Sequence, residues 1–329
     1  MTERRFDPTR NEWVTFATHR QDRTYKPKAD FCPLCPTKSG ARKTEIDRET
    51  FEIVTFDNRF PAFSPLAPEP AVASTQFHPV APSSGRCEVV VYSDDHHLTF
   101  SDLTQSRVRM LVDVWVDRWR VLGSDDSISY VMPFENKGEE VGTTRSHPHG
   151  QIYGYPFIPP VPMKELAAAE SYYAENHRCV ECDVIREELS DLSRVVFENQ
   201  FVVAWVPFWA RYPYEVHVAP KLHLPNLASM SIEVRRDFAD ALLHVAKNYD
   251  LLFGFSLPYI MGFHQSPTDG DLKWNDFSHL HVEFTPPHRS ADKLKYLAGS
   301  ESAGGAFISD VAPESAAATL RERWGSTND

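Results

Sequence analysis

Phe56-Asp57-Asn58-Arg59-Phe60 returns later in the chain as Phe197-Glu198-Asn199-Gln200-Phe201, each copy closing a β-branched run. Outward from either copy the same signposts follow in the same order. A C-x-x-C pair lies ahead, Cys32/Cys35 in one case and Cys179/Cys182 in the other. Behind comes a Glu-Val-x-Val strand running to a turn and a histidine, from Glu88 to His96 and from Glu215 to His223. Each histidine is followed by a helical stretch, a Tyr-x-Met strand (Tyr130 and Met132; Tyr259 and Met261), a polar loop and an H-x-H strand. The two H-x-H strands read His147-Pro148-His149-Gly150-Gln151 and His279-Leu280-His281-Val282-Glu283. A set of weak features recurring in one order marks a duplicated unit, and it divides the chain into halves of 1–160 and 161–329.

Within each half the pattern is strands, one amphipathic helix, then strands. Val108, Leu111, Val112, Trp115 and Trp119 keep one face of the first helix, and Val234, Phe238, Leu242 and Val245 one face of the second, the spacing that buries a stripe. The expected fold class is α+β, each half an antiparallel sheet with a packed helix, the two pairing into one extended sheet or a pseudo-twofold body. A further helix is expected from Glu165 to Asn176, and a loop over the Gly/Ser-rich stretch from Gly299 to Gly305 ahead of a C-terminal helix.

Composition agrees. Of 329 residues 42 % are hydrophobic and 24 % charged, ordinary for a globular protein, and 25 Pro against 14 Gly favour short strands with rigid turns. The formal charge of -12 argues against nucleic-acid binding by phosphate neutralisation. The first ten residues carry no apolar signal core, and no apolar run is long enough for a membrane helix. The expected location is therefore cytoplasmic, with no membrane and no nucleic-acid partner. Four of the five cysteines fall in C-x-x-C pairs, which in a reducing compartment read as metal ligands.

Two thiolates at this spacing with two distant histidines make the tetrahedral donor set of a closed zinc site. The first set would be Cys32, Cys35, His96 and His147, and the second Cys179, Cys182, His223 and His279; free cysteines beside unrelated histidines are the plainer alternative. On a strand, residues two apart share a face, so a metal holding His147 would fix His149 beside it. A positioned neutral imidazole is a nucleophile for phosphorus, and Gln151 can donate an amide hydrogen bond to a phosphoryl oxygen without acting as an acid. That pairing favours transfer through a covalent histidine intermediate over hydrolysis.

Phe134-Glu135-Asn136-Lys137-Gly138, the His-Pro-His-Gly-Gln segment and Leu257-Pro258-Tyr259-Ile260-Met261-Gly262-Phe263-His264 together resemble the galactose-1-phosphate uridylyltransferase family of the histidine-triad superfamily. The resemblance implies two histidine-triad-like halves in a homodimer. It also implies a ping-pong exchange of UMP between UDP-glucose and galactose 1-phosphate through a uridylyl-histidine, with His149 as nucleophile and Gln151 as phosphoryl-oxygen donor. It places Asn136 and Thr144 near the phosphates, Arg20 and Arg23 near the sugar phosphate, Leu34, Phe56 and Asn58 around the nucleoside, and Lys295 and Glu301 at the hexose phosphate. In some members a Glu and three His hold an additional ion, iron among them. The matching positions here are Glu165, His264, His281 and Glu283, an alternative to the second cysteine site. Arg59 stands where the family carries an Asp. An ADP-sugar or dinucleoside-polyphosphate phosphorylase would use the same histidine, and an inert zinc-stapled nucleotide-binding module would use none.

Overall fold

The computed structural model describes residues 2–22, 31–40, 42–143 and 145–325. In the first half the elements are β1 (Thr2–Asp7), β2 (Glu12–Ala17), β3 (Val54–Asp57), β4 (Val80–Pro82), β5 (Arg86–Val91), α1 (Gln105–Gly123), β6 (Tyr130–Lys137) and β7 (His149–Tyr155). There follow α2 (Pro160–Asn176), α3 (Val180–Asp191), β8 (Val195–Glu198), β9 (Val202–Trp205), β10 (Val216–Pro220), α4 (Ile232–Leu252), β11 (Tyr259–His264), α5 (Trp274–Phe277) and β12 (His281–Thr285). The chain closes with the short pair β13 (His288–Ser290) and β14 (Lys293–Leu294), then α6 (Gly299–Gly304) and α7 (Pro313–Gly325).

Among the described residues, nine strands form one antiparallel sheet in the order β3-β5-β7-β6-β11-β12-β10-β9-β8. The order is a palindrome about the β6–β11 pairing. The repeated elements β5/β10, β7/β12 and β6/β11 stand at equal distances from that seam, and β9 is an extra strand in the second half. The expected extended sheet is thus what forms, joined by the register of Tyr259, Ile260, Met261 and Gly262 against Lys137, Asn136, Glu135 and Phe134.

One face of the sheet is covered by α1, α4 and α7, whose apolar stripes meet the alternate strand residues Val90, Val131, Ile152, Val218, Met261 and Val282 in one core. Trp115 lies edge-on to Phe263 at 4.8 Å between centroids, a contact worth about 0.5–1.5 kcal/mol beyond its buried area. Both long helices start at a hydroxyl cap: Thr104 Oγ1 accepts from Arg107 N at 3.3 Å and Ser231 Oγ from Val234 N at 3.3 Å. Arg118 of α1 forks onto Glu88 of β5 at 2.6 and 2.8 Å, pinning helix to strand.

The opposite face carries smaller clusters. Leu34, Ile46, Val89 and Val91 close over its first-half edge, Phe63, Cys87 and Tyr153 lie beside them, and α2 and α3 cover the second-half end. Between these clusters the face stays open, and the H-x-H strands look onto it. A separate sheet of β2, β1 and β4 leans over this side, with the Arg4 guanidinium 5.5 Å from the Phe157 ring centroid.

Two local expectations change, and the second cysteine pair proves to open a helix. The stretch from Gly299 to Gly305 forms the single-turn helix α6, because Glu301 accepts from Ala298 N at 3.2 Å and from Lys295 Nζ at 3.2 Å; these bonds offset the helix cost of glycine. Cys179 and Cys182 lie at the N-terminus of α3 and not in a free turn. His147 and His279 stand before their strands, which begin at His149 and His281. The Pro148 carbonyl accepts from Tyr92 N at 3.0 Å, so the chain turns a corner there before entering β7.

Candidate active site and metal centres

The corner at His147 serves two purposes. Its Nε2–H donates to the Ser93 carbonyl at 2.8 Å, which turns Nδ1 toward the cysteines, 3.6 Å from Cys35 Sγ and 3.8 Å from Cys32 Sγ. His96 Nδ1 completes the cluster, 3.6 Å from Cys35 Sγ and 3.3 Å from His147 Nδ1. A tetrahedral zinc with bonds of about 2.3 Å to sulfur and about 2.0 Å to nitrogen has S···N edges of about 3.5 Å and N···N edges of about 3.3 Å. The four donors therefore already sit at the corners of such a site. Burial keeps His147 neutral, pushing it down to about 4, as a ligand requires, and burial beside Cys32 pushes Cys35 up to about 11. A cation among them relieves that crowding.

The second half repeats the geometry. Cys182 Sγ lies 3.4 Å from His279 Nδ1 and 3.6 Å from His223 Nδ1, and Cys179 Sγ lies 3.8 Å from His279 Nδ1. The rings are again set by carbonyl acceptors, His279 Nε2–H on Pro220 at 2.9 Å and His223 Nε2–H on Asn275 at 2.8 Å. Such outer bonds orient metal-binding histidines generally.

At the first residue of β7, His149 Nδ1–H donates to the His147 carbonyl at 2.8 Å, which selects the tautomer with its lone pair on Nε2. Gln151 follows on the same face. Its Oε1 accepts from Asn58 Nδ2 and from the Tyr153 hydroxyl, both at 3.3 Å, so the oxygen is engaged and the amide nitrogen is the group left to donate. Asn58 is itself fixed by donating its backbone N–H to the Cys87 carbonyl at 2.7 Å and accepting from Phe60 N at 2.9 Å. The strand and turn that open the repeat thus hold Asn58 against the Gln151 side chain.

Other candidates gather around this pair. Leu34 and Phe56 belong to the cluster at the sheet's first-half edge, and Asn136 shares the open face on β6. Arg20 stands near enough to Cys87 to act on its thiol electrostatically. Arg23 and Thr144 fall outside the described residues. Lys295 and Glu301 pair with each other at 3.2 Å, both nearly buried, and their hydrogen bonds run to Ala298 and Ile308 inside the C-terminal segment.

The second-half counterpart of the His149 site is different. His281 repeats the tautomer-setting bond, donating Nδ1–H to the His279 carbonyl at 3.0 Å, but Glu283 replaces the glutamine. Around them lies a cavity of about 200 Å³ lined by Glu165, Arg211, His217 and His264 among others. Glu165 Oε2 accepts from His264 Nδ1 at 2.7 Å. Against the cost of burial, Glu165 and Glu283 hold His264 up at about 9, while His264, His217 and His281 hold Glu283 down at about 2. The ligand atoms of Glu165, His264, His281 and Glu283 lie within 4.8 Å of one another, and none is shared with the cysteine cluster that takes His279. An ionised Glu283 beside His281 repels a phosphate, so this copy suits a cation and the first copy an anion.

His217 is not among the residues that the repeat marks in the sequence. It is buried between Glu215 at 3.0 Å and Glu283 at 3.4 Å, and it stacks on His281 at 5.8 Å. The signal was present in Glu215-Val216-His217, whose outer residues are two apart at the start of β10 and meet through their side chains.

Family models described as galactose-1-phosphate uridyl transferase, N-terminal and C-terminal domains, match residues 1–159 and 165–326. The chain belongs to this family. It is 39% identical over 323 residues to a galactose-1-phosphate uridylyltransferase of Thermotoga maritima, covering 98% of both chains. It is 35% identical to one from Streptomyces lividans, over 98% of this chain and 87% of that one. Among solved structures, a uridylyltransferase superposes with a TM-score of 0.88 at 30% identity, over 99% of this chain and 100% of that one. An ADP-glucose phosphorylase from Arabidopsis thaliana shares the fold, with a TM-score of 0.73 at 24% identity over 98% and 99% of the two chains. Among the described residues of this family member, no helix is long and apolar enough to cross a membrane.

Proposed function

We propose that the protein is a nucleotidyltransferase that exchanges UMP between UDP-glucose and galactose 1-phosphate by a double displacement. The observation that carries this reading is the His149–Gln151 pair, one side chain poised to attack phosphorus and the next turned to donate to its oxygen. In the first step His149 Nε2 bonds to the α-phosphorus of UDP-glucose, the bond to the glucose 1-phosphate oxygen breaks, and glucose 1-phosphate leaves. The adduct imidazole is a cation whose Nδ1–H points at the His147 carbonyl. In the second step an oxygen of galactose 1-phosphate attacks the same phosphorus and His149 departs. Amide and guanidinium donors already in place stabilise charge that develops on the transferring group, the part assigned to Gln151, Asn136, Thr144, Arg20 and Arg23. Leu34, Phe56 and Asn58 hold the nucleoside.

The two halves, 1–160 and 161–329, then have different duties. Zinc on Cys32, Cys35, His96 and His147 staples the corner that presents His149, and zinc on Cys179, Cys182, His223 and His279 staples the equivalent corner. Glu165, His264, His281 and Glu283 offer a further divalent cation, zinc or iron, a place of its own. Lys295 and Glu301 reach a hexose phosphate in a homodimer, where the exposed Tyr296, Leu297 and Ile308 of the same segment face a partner. The cytoplasm is the compartment in which unpaired thiols and sugar phosphates coexist.

Intact-mass spectrometry after mixing with UDP-glucose tests the reading. A uridylyl-sized increment on the wild type, absent from His149→Ala and discharged by galactose 1-phosphate, is the expected result. An adenylyl increment from ADP-glucose instead would turn the reading toward an ADP-sugar phosphorylase, a class with a solved member that shares the fold.

A further inference from the structure

Strand β6 presents two faces around the site. Phe134 and Asn136 look onto the open face, Phe134 paired with Gln151, while Glu135 between them enters the helix-covered core opposite Met261. A carboxyl group 3 % exposed in an apolar core is costly unless something there uses it. Its neighbours are Tyr92, at the end of β5, and Tyr259 of β11, both fully buried and both near enough to feel its charge. The Tyr92 hydroxyl stands close enough to the Glu135 carboxyl to act on it as a hydrogen-bond partner, and beyond that approach no protein partner is found among the described residues for Glu135 Oε2 or the two tyrosine hydroxyls. Three such atoms in one place call for an internal water, which characteristically bridges two to four buried polar groups.

This cluster lies directly behind the His149 strand. Tyr92 donates its backbone N–H to the Pro148 carbonyl at 3.0 Å, and its hydroxyl comes so close to Gly150 that a β-carbon there would stand 2.1 Å from it. The backbone on either side of His149 is thus held by one tyrosine. We propose that Glu135, through a buried water shared with Tyr92 and Tyr259, is a positioning residue that sets the placement of His149; the inference builds on His149 being the nucleophile.

Burial pushes the Glu135 carboxyl up to about 8, against Lys137, so it holds its proton at neutral pH. The other charged groups facing it are Lys137 on its own strand and Asp250 of α4, which are paired at 2.7 Å; from α1 the cluster receives the Trp115 ring beside Tyr92. Losing the proton places a charge behind Gly150, and the Tyr92 contact transmits it to the strand.

The test uses full-length wild type, Glu135→Gln, Glu135→Leu and Tyr92→Phe. Histidine ring 15N resonances are followed against pH, with His149 assigned by its loss in His149→Ala, and single-turnover uridylylation from UDP-glucose is timed in parallel. In the wild type the His149 ring is expected to show an inflection near pH 8 that Glu135→Gln lacks. Glu135→Gln should keep the pH 7 rate within about two-fold, while Glu135→Leu should lose about ten- to a hundred-fold in rate with little change in KM, the scale of an ångström-level misplacement. The same His149 titration in wild type and Glu135→Gln would overturn the proposal, as would a wild-type rate in Glu135→Leu. If Glu135→Leu does not fold, Tyr92→Phe decides: a several-fold loss of single-turnover rate with little change in KM is expected, and a wild-type rate overturns the proposal. An inflection in a wild type that forms no adduct would keep the positioning role and refute the transferase reading.

Discussion

Gly150→Ala tests the packing beneath the nucleophile with numbers the structure supplies. Gly150 is not among the glycines in the left-handed region, so backbone conformation alone does not demand glycine there; space does. An added β-carbon would lie 2.1 Å from Tyr92 Oη, 2.9 Å from the Phe134 carbonyl oxygen and 3.1 Å from Tyr92 Cζ. Relief from the first contact needs a movement of about 1 Å, because ordinary contacts begin near 3.3 Å. Overpacking of this kind costs about 1–3 kcal/mol. The strand that must move carries His149 and Gln151, and a shift of about 1 Å in a reacting group costs on the order of a hundred-fold in rate. Tyr92→Phe removes the hydroxyl that the added β-carbon would meet, and by itself it should cost about 1 kcal/mol, because the hydroxyl also serves the buried Glu135 carboxyl. Placed together with Gly150→Ala, it should restore part of the rate and part of the midpoint, the Phe134 carbonyl and the ring carbon keeping the rest of the penalty. The assay is thermal unfolding alongside timed uridylyl-enzyme formation by intact mass. If the double variant is no better than Gly150→Ala, or if Gly150→Ala alone matches the wild type in both measurements, the account of this contact is wrong.

Elemental analysis should find one metal equivalent fewer in Cys32→Ser and, separately, in Cys179→Ser, whereas His149→Ala should keep the full complement and the wild-type melting midpoint while forming no adduct. Gln151→Glu, which copies the second half's Glu283, should lower the uridylylation rate by about a hundred- to a thousand-fold, the scale for removing one donor to a developing oxyanion; a loss under ten-fold would argue against that role. His244 is clamped between the rings of Phe197 at 4.3 Å and Trp324 at 3.9 Å, and burial pushes it down to about 4. The unfolded chain takes up that proton from about pH 6.5 downward, so stability present above 6.5 is lost progressively as pH falls toward 4, by about 3 kcal/mol in all. His244→Leu should flatten the acid limb of a denaturant-midpoint against pH curve, and an unchanged limb would show that the clamp contributes nothing to it.

Much of the site could be read in one dimension because duplication wrote it twice. The cysteine pairs, the histidines at 96, 147, 223 and 279, and the helix stripes each had a partner in the other half. What escaped belongs to contacts between elements far apart in the chain. His217 gains its meaning from Glu283 on the neighbouring strand and from the ring of His281, and Glu215 is occupied by the backbone N–H groups of Arg211 and Tyr212. Glu135 looks like a polar strand residue until β11 and α4 enclose it. The helix at Gly299–Gly304 was hidden for the opposite reason, since a side chain six residues after Lys295 overrides a glycine-rich composition. The corner at His147 depends on the carbonyl of Ser93, a group that every residue type carries.

The seam between β6 and β11 bears on how the chain folds as well as on where its site sits. Four register pairs cross it, and a single core beneath runs from α1 through α4 to α7 without a break. The duplicated units therefore lack the insulated interface that lets tandem domains melt one at a time, and calorimetry should record one cooperative transition for both. A fragment ending before α2 would leave β6 as a bare edge eight residues long, its N–H and C=O groups unpaired toward the missing neighbour. Such an edge templates pairing with other chains, so the ancestral unit, to exist alone, had to close that edge with a second copy of itself, and the present chain carries that association as a covalent one.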